Sequence, residues 1–406
     1  MQEVSAGPPD DPFGDNDPFK GMPLFGDLAK MFQQLQQQGP VSWDAARQLA
    51  LSIATDGRSE PNVDPVERMK IEELARVAEL QIAGRTGLET SIGGQGIRFV
   101  PVTRGEWARR TLEAYRPLFE ELAGSLEQEP DADIEPITDS DPLAWMGPLM
   151  QMIGPMMLGM TAGSMVGHLA RRALGQYDLP IPRPGGDELL IVPANIDEFG
   201  SAWSLPPDDL RLWVCLHDVA HHAVLGVSHV NERITSLLHR YLAGFEASGA
   251  PLEDRLQELD IQDPSSMPDI QSLFGDPETL LGAIRSPAQH DLLTQLEALT
   301  AVIVGYVDHV MDSIGAGLLQ SYPMLTEALR RRRVEAAPSD RFVERLFGLE
   351  LTQVQYERGT AFVEGVVERA GDGGLNRLWA SVRTLPTPAE VDAPGLWLAR
   401  IDLPEE

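Results

Sequence analysis

The stretch Cys215 to Gly226, CLHDVAHHAVLG, holds three of the chain's eight histidines. His217 and His221 are four residues apart. On a helix that spacing puts them on one face, one turn apart, where both can aim a ring nitrogen at one ion. It is the spacing of a zinc-binding helix. A hydrolytic zinc takes about three protein ligands and keeps a fourth position for water. The ion lowers the pKa of that water, and a nearby carboxylate takes its proton as it attacks a carbonyl. In the zinc-hydrolase pattern His-Glu-x-x-His, the carboxylate is the residue after the first histidine. Here that residue is Asp218, shorter than glutamate by one methylene, about 1.5 Å. A base must come within hydrogen-bond reach of its proton, so Asp218 can serve only if the helix or the water moves.

The surroundings bear on the same question. LWVCL before the pair and AVLG after it are apolar, so both histidines are expected on a mostly buried helix. Buried imidazoles need partners, and a metal is one way to supply them. His222 is one position off the face and is expected to meet a neighbouring helix or solvent. His229, in GVSHV, follows the helix and is in range to close over the site from a loop. Cys215 is read as a small buried apolar residue and not a nucleophile. Tyr356, beside Glu357 in QYERGTAF, is a candidate to stabilise an oxyanion. A tyrosine on an apolar helix is more often a core residue with one hydrogen bond.

These side chains need elements to place them. LPPDDLRLWVCLHDVAHHAVL opens a helix at Pro-Pro-Asp-Asp. DELLIVPANI, 187–196, is short, β-rich and bounded by glycine and proline, and reads as the best strand. DPVERMKIEELARVAELQIAGRTGL is an amphipathic helix whose apolar stripe is read as Met69, Ile71, Leu74, Val77 and Leu80. Further helices are expected near 103–126, 288–318 and 338–370. Residues 1–22 read as a disordered acidic tail, and 127–142 as an acidic loop. Trp145–Ala170 is long enough to reach across a bilayer and carries Gly159, Gly163 and Gly167 at close-packing spacing. Pro148 and Pro155 break the run into short pieces, so a buried hairpin or core helix is expected instead of a span. The expected architecture is mainly α with one small β-sheet, in one domain over 23–402.

Composition narrows the function classes. The 406 residues carry a formal net charge of -30, which argues against nucleic acid and anionic membranes as partners. Lys20, Lys30 and Lys70 are the only lysines. The single cysteine allows no internal disulfide, which makes a reducing cytoplasm the default setting. The amino terminus has neither the basic nor the apolar region of a secretion signal.

Several separated stretches together resemble the actinobacterial zincin-like family often named "zinc-dependent metalloprotease" or "putative hydrolase". They are FGDLAKMFQQL, ALGQYDLPIPRP, LLIVPANIDEFG, DLRLWVCLHDVAHHAVLGVSHV, ALTAVIVGYVDHVMD, LELTQVQYERGTAFVEGVVERAG and GLNRLWASVRTLPTPAEVDAPGLWLARI. Together they span about residues 20–402. The resemblance implies a mostly helical zincin-like fold and zinc-activated attack on a peptide or amide bond. His217 and His221 would be ligands, and Asp218 stands at the base. In VIVGYVDHVMD, relatives carry a glutamate that the resemblance makes the third ligand; here the position is Val304. Asp308, one turn on and on the same face, is the replacement ligand considered, with His309 beside it. The chain therefore departs from the pattern at both acids, and reduced or lost activity is expected.

Two other classes remain. A non-catalytic zincin-fold binding or scaffold protein would account for both departures. An HD-type metal-dependent phosphohydrolase would use His217–Asp218 as its dyad, with His168 and either Asp308 or Asp312. A phosphate site gathers basic residues, however, and the sequence is read as having no basic cluster beyond Arg171-Arg172.

Overall fold

The computed structural model describes residues 41–94, 96–126, 146–184, 186–245, 287–334, 344, 346–349 and 351–404. The expected tail over 1–22 and the acidic loop over 127–142 lie outside these residues. The described elements are α1 (Trp43–Thr55), α2 (Pro65–Thr86), β1 (Arg98–Pro101), α3 (Arg104–Leu126), α4 (Met146–Arg172), β2 (Glu188–Ile191), α5 (Pro193–Ala202), α6 (Pro207–Leu225), α7 (Ser228–Ala243), α8 (Pro287–Leu318), α9 (Tyr322–Val334), α10 (Gln353–Leu375) and α11 (Pro394–Ile401). The fold is mainly α, with one two-stranded parallel sheet in which Arg98 pairs with Glu188 and Pro101 with Ile191.

Local sequence explains several boundaries. Asp64 caps α2 by accepting the Val66 amide, Pro65 takes the first helical position, and Gly87 ends the helix in the left-handed conformation at φ 69°. The strand expected over 187–196 is only four residues long. Pro193 lacks the N–H that a ladder needs and instead starts α5.

The glycine–methionine segment is one helix, α4, and not a hairpin. Pro148 falls in its first turn, where its amide would have no partner anyway. The stripe of Gly159, Gly163 and Gly167 lies directly on α1. A Cβ on Gly163 would stand 2.3 Å from the Ala46 carbonyl oxygen, and one on Gly159 2.5 Å from that of Ser42. Ala46, Ala50 and Ala54 are the buried residues of α1, so the two backbones meet across small side chains. Among the described residues, the helix long and apolar enough to cross a membrane is α8, over Ala288–Leu318. In its apolar window 61% is buried inside the protein.

α2 corrects the expected stripe. Met69 and Leu80 are 64% and 72% exposed. The buried face is Ile71, Ala75, Ala78, Ile82 and Thr86. Ala75 and Ala78 let α2 approach α6 closely between Ile71 and Ile82, and Met69 and Leu80 are left outside. α6 is the central element: every residue from Trp213 to Leu225 is buried. It packs against α2, α5, α7 and α8.

Candidate active site

Trp213, His217 and His221 follow one another at four-residue spacing along α6. The Trp213 and His217 rings stack at 4.8 Å, and the two imidazole centroids are 4.4 Å apart. Tyr177 lies parallel to His221 at 6.0 Å. All four line a small cavity of about 70 Å³, and Val304 and Tyr356 form part of its wall. His221 Nδ1 is 3.1 Å from the His217 carbonyl oxygen, which can only accept, so Nδ1 carries the proton and Nε2 keeps its lone pair.

Burial, with the Arg333 charge next, pushes His217 down to about 4. Burial and then its neighbour His217 push His221 down to about 3. Both rings are neutral at pH 7. In an unfolded chain they would titrate near 6.5. Between that value and the folded values the unfolded chain binds more protons, so these two rings make stability fall on acidification from pH 6.5 to 4. Burial pushes the Asp218 carboxyl up to about 7, which acts in the opposite sense. Its contribution is full below the unfolded carboxylate pKa and is lost as pH rises through 7. Two histidines against one carboxyl leave a net loss towards pH 4. Thermal melts of wild type and His217→Gln/His221→Gln across this range are expected to show a flatter acid slope in the variant.

Asp218 does not line the cavity. It is 1% exposed and turns towards the loop after α4. Its Oδ2 accepts the Gln176 amide at 2.6 Å, and its Oδ1 faces the Tyr177 amide at 3.3 Å. A Cβ on Gly175 would stand 2.2 Å from Asp218 Oδ2, so glycine is what lets this loop lie on the carboxylate. Asp218 fastens the loop that carries Tyr177 and Asp178.

Asp308 does not line the cavity either, although its charge reaches both imidazoles. Arg333 holds it through two bonds, Nη1 to Oδ2 at 2.8 Å and Nη2 to Oδ1 at 2.9 Å. Burial raises its carboxyl, but Arg333 outweighs burial and the group ends below its usual range. The Arg333 guanidinium lies 4.7 Å from the centre of the Tyr356 ring. His309 pairs with Asp372, and Glu357 bonds to Gln353 on an exposed face. His222 points away from the pair: its Nδ1 accepts from the Tyr177 hydroxyl at 2.8 Å, and its Nε2 is 3.3 Å from Asp187. His229 sits in the first turn of α7. Neither His229 nor His168 lines the cavity. Cys215 is buried and free, and burial pushes its thiol up.

The cavity wall also holds residues that the sequence reading missed. Arg172, Arg332 and Arg333 line it, together with Asp178 and Glu344. Arg172 pairs with Glu344 at 2.8 Å, and Arg332 with Asp178 at 3.2 Å. Arg332 also donates to the Arg172 carbonyl. The available signal was the run Arg330 to Arg333, a basic cluster that the reading of Arg171-Arg172 as the only one passed over.

A hydrolytic zinc would need a third ligand beside the two imidazoles. Among the described residues, no group of three or more His, Cys, Asp and Glu side chains is placed to hold a metal. Val304 has no donor atom, and Asp308 is bonded to a cation already. The described residues therefore do not fit a three-ligand zinc.

The family model for zincin-like metallopeptidases matches residues 41–398. No curated protein matches the chain. Among solved structures, the chain is similar to a protein from Chloroflexus aurantiacus described as "a putative hydrolase with a novel fold". The two are 25% identical with a TM-score of 0.59, over 90% of this chain and 100% of that one. With its histidine helix at the centre of the match, the chain belongs to the zincin-like metallopeptidase family.

Proposed function

We propose that this protein is a non-hydrolysing member of its family. It keeps the histidine helix and the cavity as a binding site and has lost zinc hydrolysis. The carrying observation is that the two imidazoles face a wall made by Val304, where the family resemblance implies a ligand. The bonding of Asp218 supports the same reading. A base must reach the attacking water, and both Asp218 oxygens are given to loop amides. Zinc-activated attack on a peptide or amide carbonyl is then the ancestral chemistry, and we place the chain among the actinobacterial members with a degenerate motif. The HD-type reading gains no support, because Asp218 is turned away from the cavity and His168 does not line it.

One observation favours residual metal affinity: the His221 tautomer leaves Nε2 unprotonated. Two imidazoles alone are short of the three ligands that a catalytic zinc uses. The test is hydrolysis of a mixed peptide library in added zinc, against a His217→Ala control. The expected result is equal background in both. Cleavage by wild type that disappears in His217→Ala would contradict the proposal.

A further inference from the structure

The three arginines on the cavity wall are not explained by the loss of a metal site. We propose that the cavity binds a carboxylate group, with the guanidiniums of Arg172, Arg332 and Arg333 supplying the positive charge that a zincin takes from its metal. The inference rests on the metal-free reading above and names the class of ligand.

Guanidinium is planar and matches carboxylate in shape and in hydrogen-bond spacing. Each of the three is already oriented by a carboxylate of the chain: Arg172 by Glu344, Arg332 by Asp178 and Arg333 by Asp308. A site whose donors are fixed in advance loses less on binding. The bonds to Asp178, Asp308 and the Arg172 carbonyl are all made by Nη groups of Arg332 and Arg333. The Nε–H of each is left out of them.

Charge and size limit the ligand. Three guanidiniums and two carboxylates line the cavity. Asp308 stands behind Arg333 and brings the whole shell to neutrality. A neutral shell tolerates one added negative charge better than two, which favours a carboxylate over a phosphate dianion. The cavity of about 70 Å³ is several times the roughly 10–15 Å³ that one water needs. It admits a head group and leaves the rest of the ligand outside. Val304, Leu329 and Leu351 offer apolar wall to the carbon next to the carboxylate. A free small acid and the carboxyl end of a peptide present the same group.

The test uses full-length protein labelled with 15N in its histidine rings, titrated with N-acetylalanine, N-acetylalanine amide, acetate and inorganic phosphate. The expected result is a saturable shift of the His217 and His221 ring nitrogens with N-acetylalanine and none with its amide. A shift with acetate as well assigns the site to small acids; its absence assigns the site to peptide ends. Arg333→Met/Asp308→Leu removes both partners and so leaves no unpaired buried charge. Binding should weaken about tenfold or more in it while its thermal transition stays cooperative, as expected when a charge-assisted pair is lost. Arg332→Gln is the second variant, should the first not fold. No saturable shift with either carboxylate, or equal shifts with the amide or phosphate, would overturn the proposal. One zinc per chain or peptide cleavage by the same samples would instead contradict the non-hydrolysing reading, so the two failures are distinct.

Discussion

Asp218→Glu is expected to destabilise the protein by about 2–3 kcal/mol and to leave it without peptidase activity. By the motif alone, this substitution would restore the missing base. The structure gives the opposite expectation. The carboxylate fills a closed space against Gly175 and receives the amides of Gln176 and Tyr177. An added methylene has to displace that loop, at about 1–3 kcal/mol for overpacking. It also breaks the bonds to both amides, and each buried amide left unsatisfied costs about 1–3 kcal/mol, part of which relaxation recovers. Urea titration measures the loss, and a peptide assay of the same variant measures the activity. A variant that folds as well as wild type and cleaves peptides would mean that position 218 faces the cavity.

Gly359→Ala is expected to cost about 3 kcal/mol or more. α8 and α10 cross with their backbones almost touching. A Cβ on Gly359 would stand 2.0 Å from the Ala301 carbonyl oxygen, and one on Gly305 2.5 Å from the Gly359 carbonyl carbon. The obstacle in each case is backbone and not a side chain that can swing aside. The crossing sets the register of Val304, one residue before Gly305, and places Tyr356, one turn before Gly359, beside the cavity. Gly317→Ala, near the end of α8, meets nothing within 4 Å. It serves as the control and should be neutral or stabilising by up to about 1 kcal/mol. Equal stability of Gly359→Ala and wild type in urea would mean that the helices do not cross at these glycines.

The parts of this site that were legible in the sequence are those set within one helix. The four-residue step from His217 to His221 fixes their shared face, and apolar flanks announce burial. The glycine stripe of α4 announced close packing, although the prolines around it left a hairpin and a core helix both open, and the helix runs on. What was not legible depends on contacts between distant segments. The partner of Asp218 is a loop about 40 residues earlier, so its structural role could not be read from the motif. Asp308 shares the helical face of Val304, but the Arg333 that claims it comes from α9. The stripe of α2 held only in part: Ile71 is buried as expected, but the rest of the buried face is Ala75, Ala78, Ile82 and Thr86, and Met69, Val77 and Leu80 are exposed. The arginine run was visible and was undervalued, because only the fold carries its members to the cavity.

The central claim is that no described residue gives the histidine pair a third ligand. Elemental analysis tests it most directly, on protein purified without metal supplements beside His217→Ala. The account predicts zinc far below one per chain in both, with both folded. One zinc per chain in wild type, lost in His217→Ala, would contradict it and would require a third ligand close to Val304.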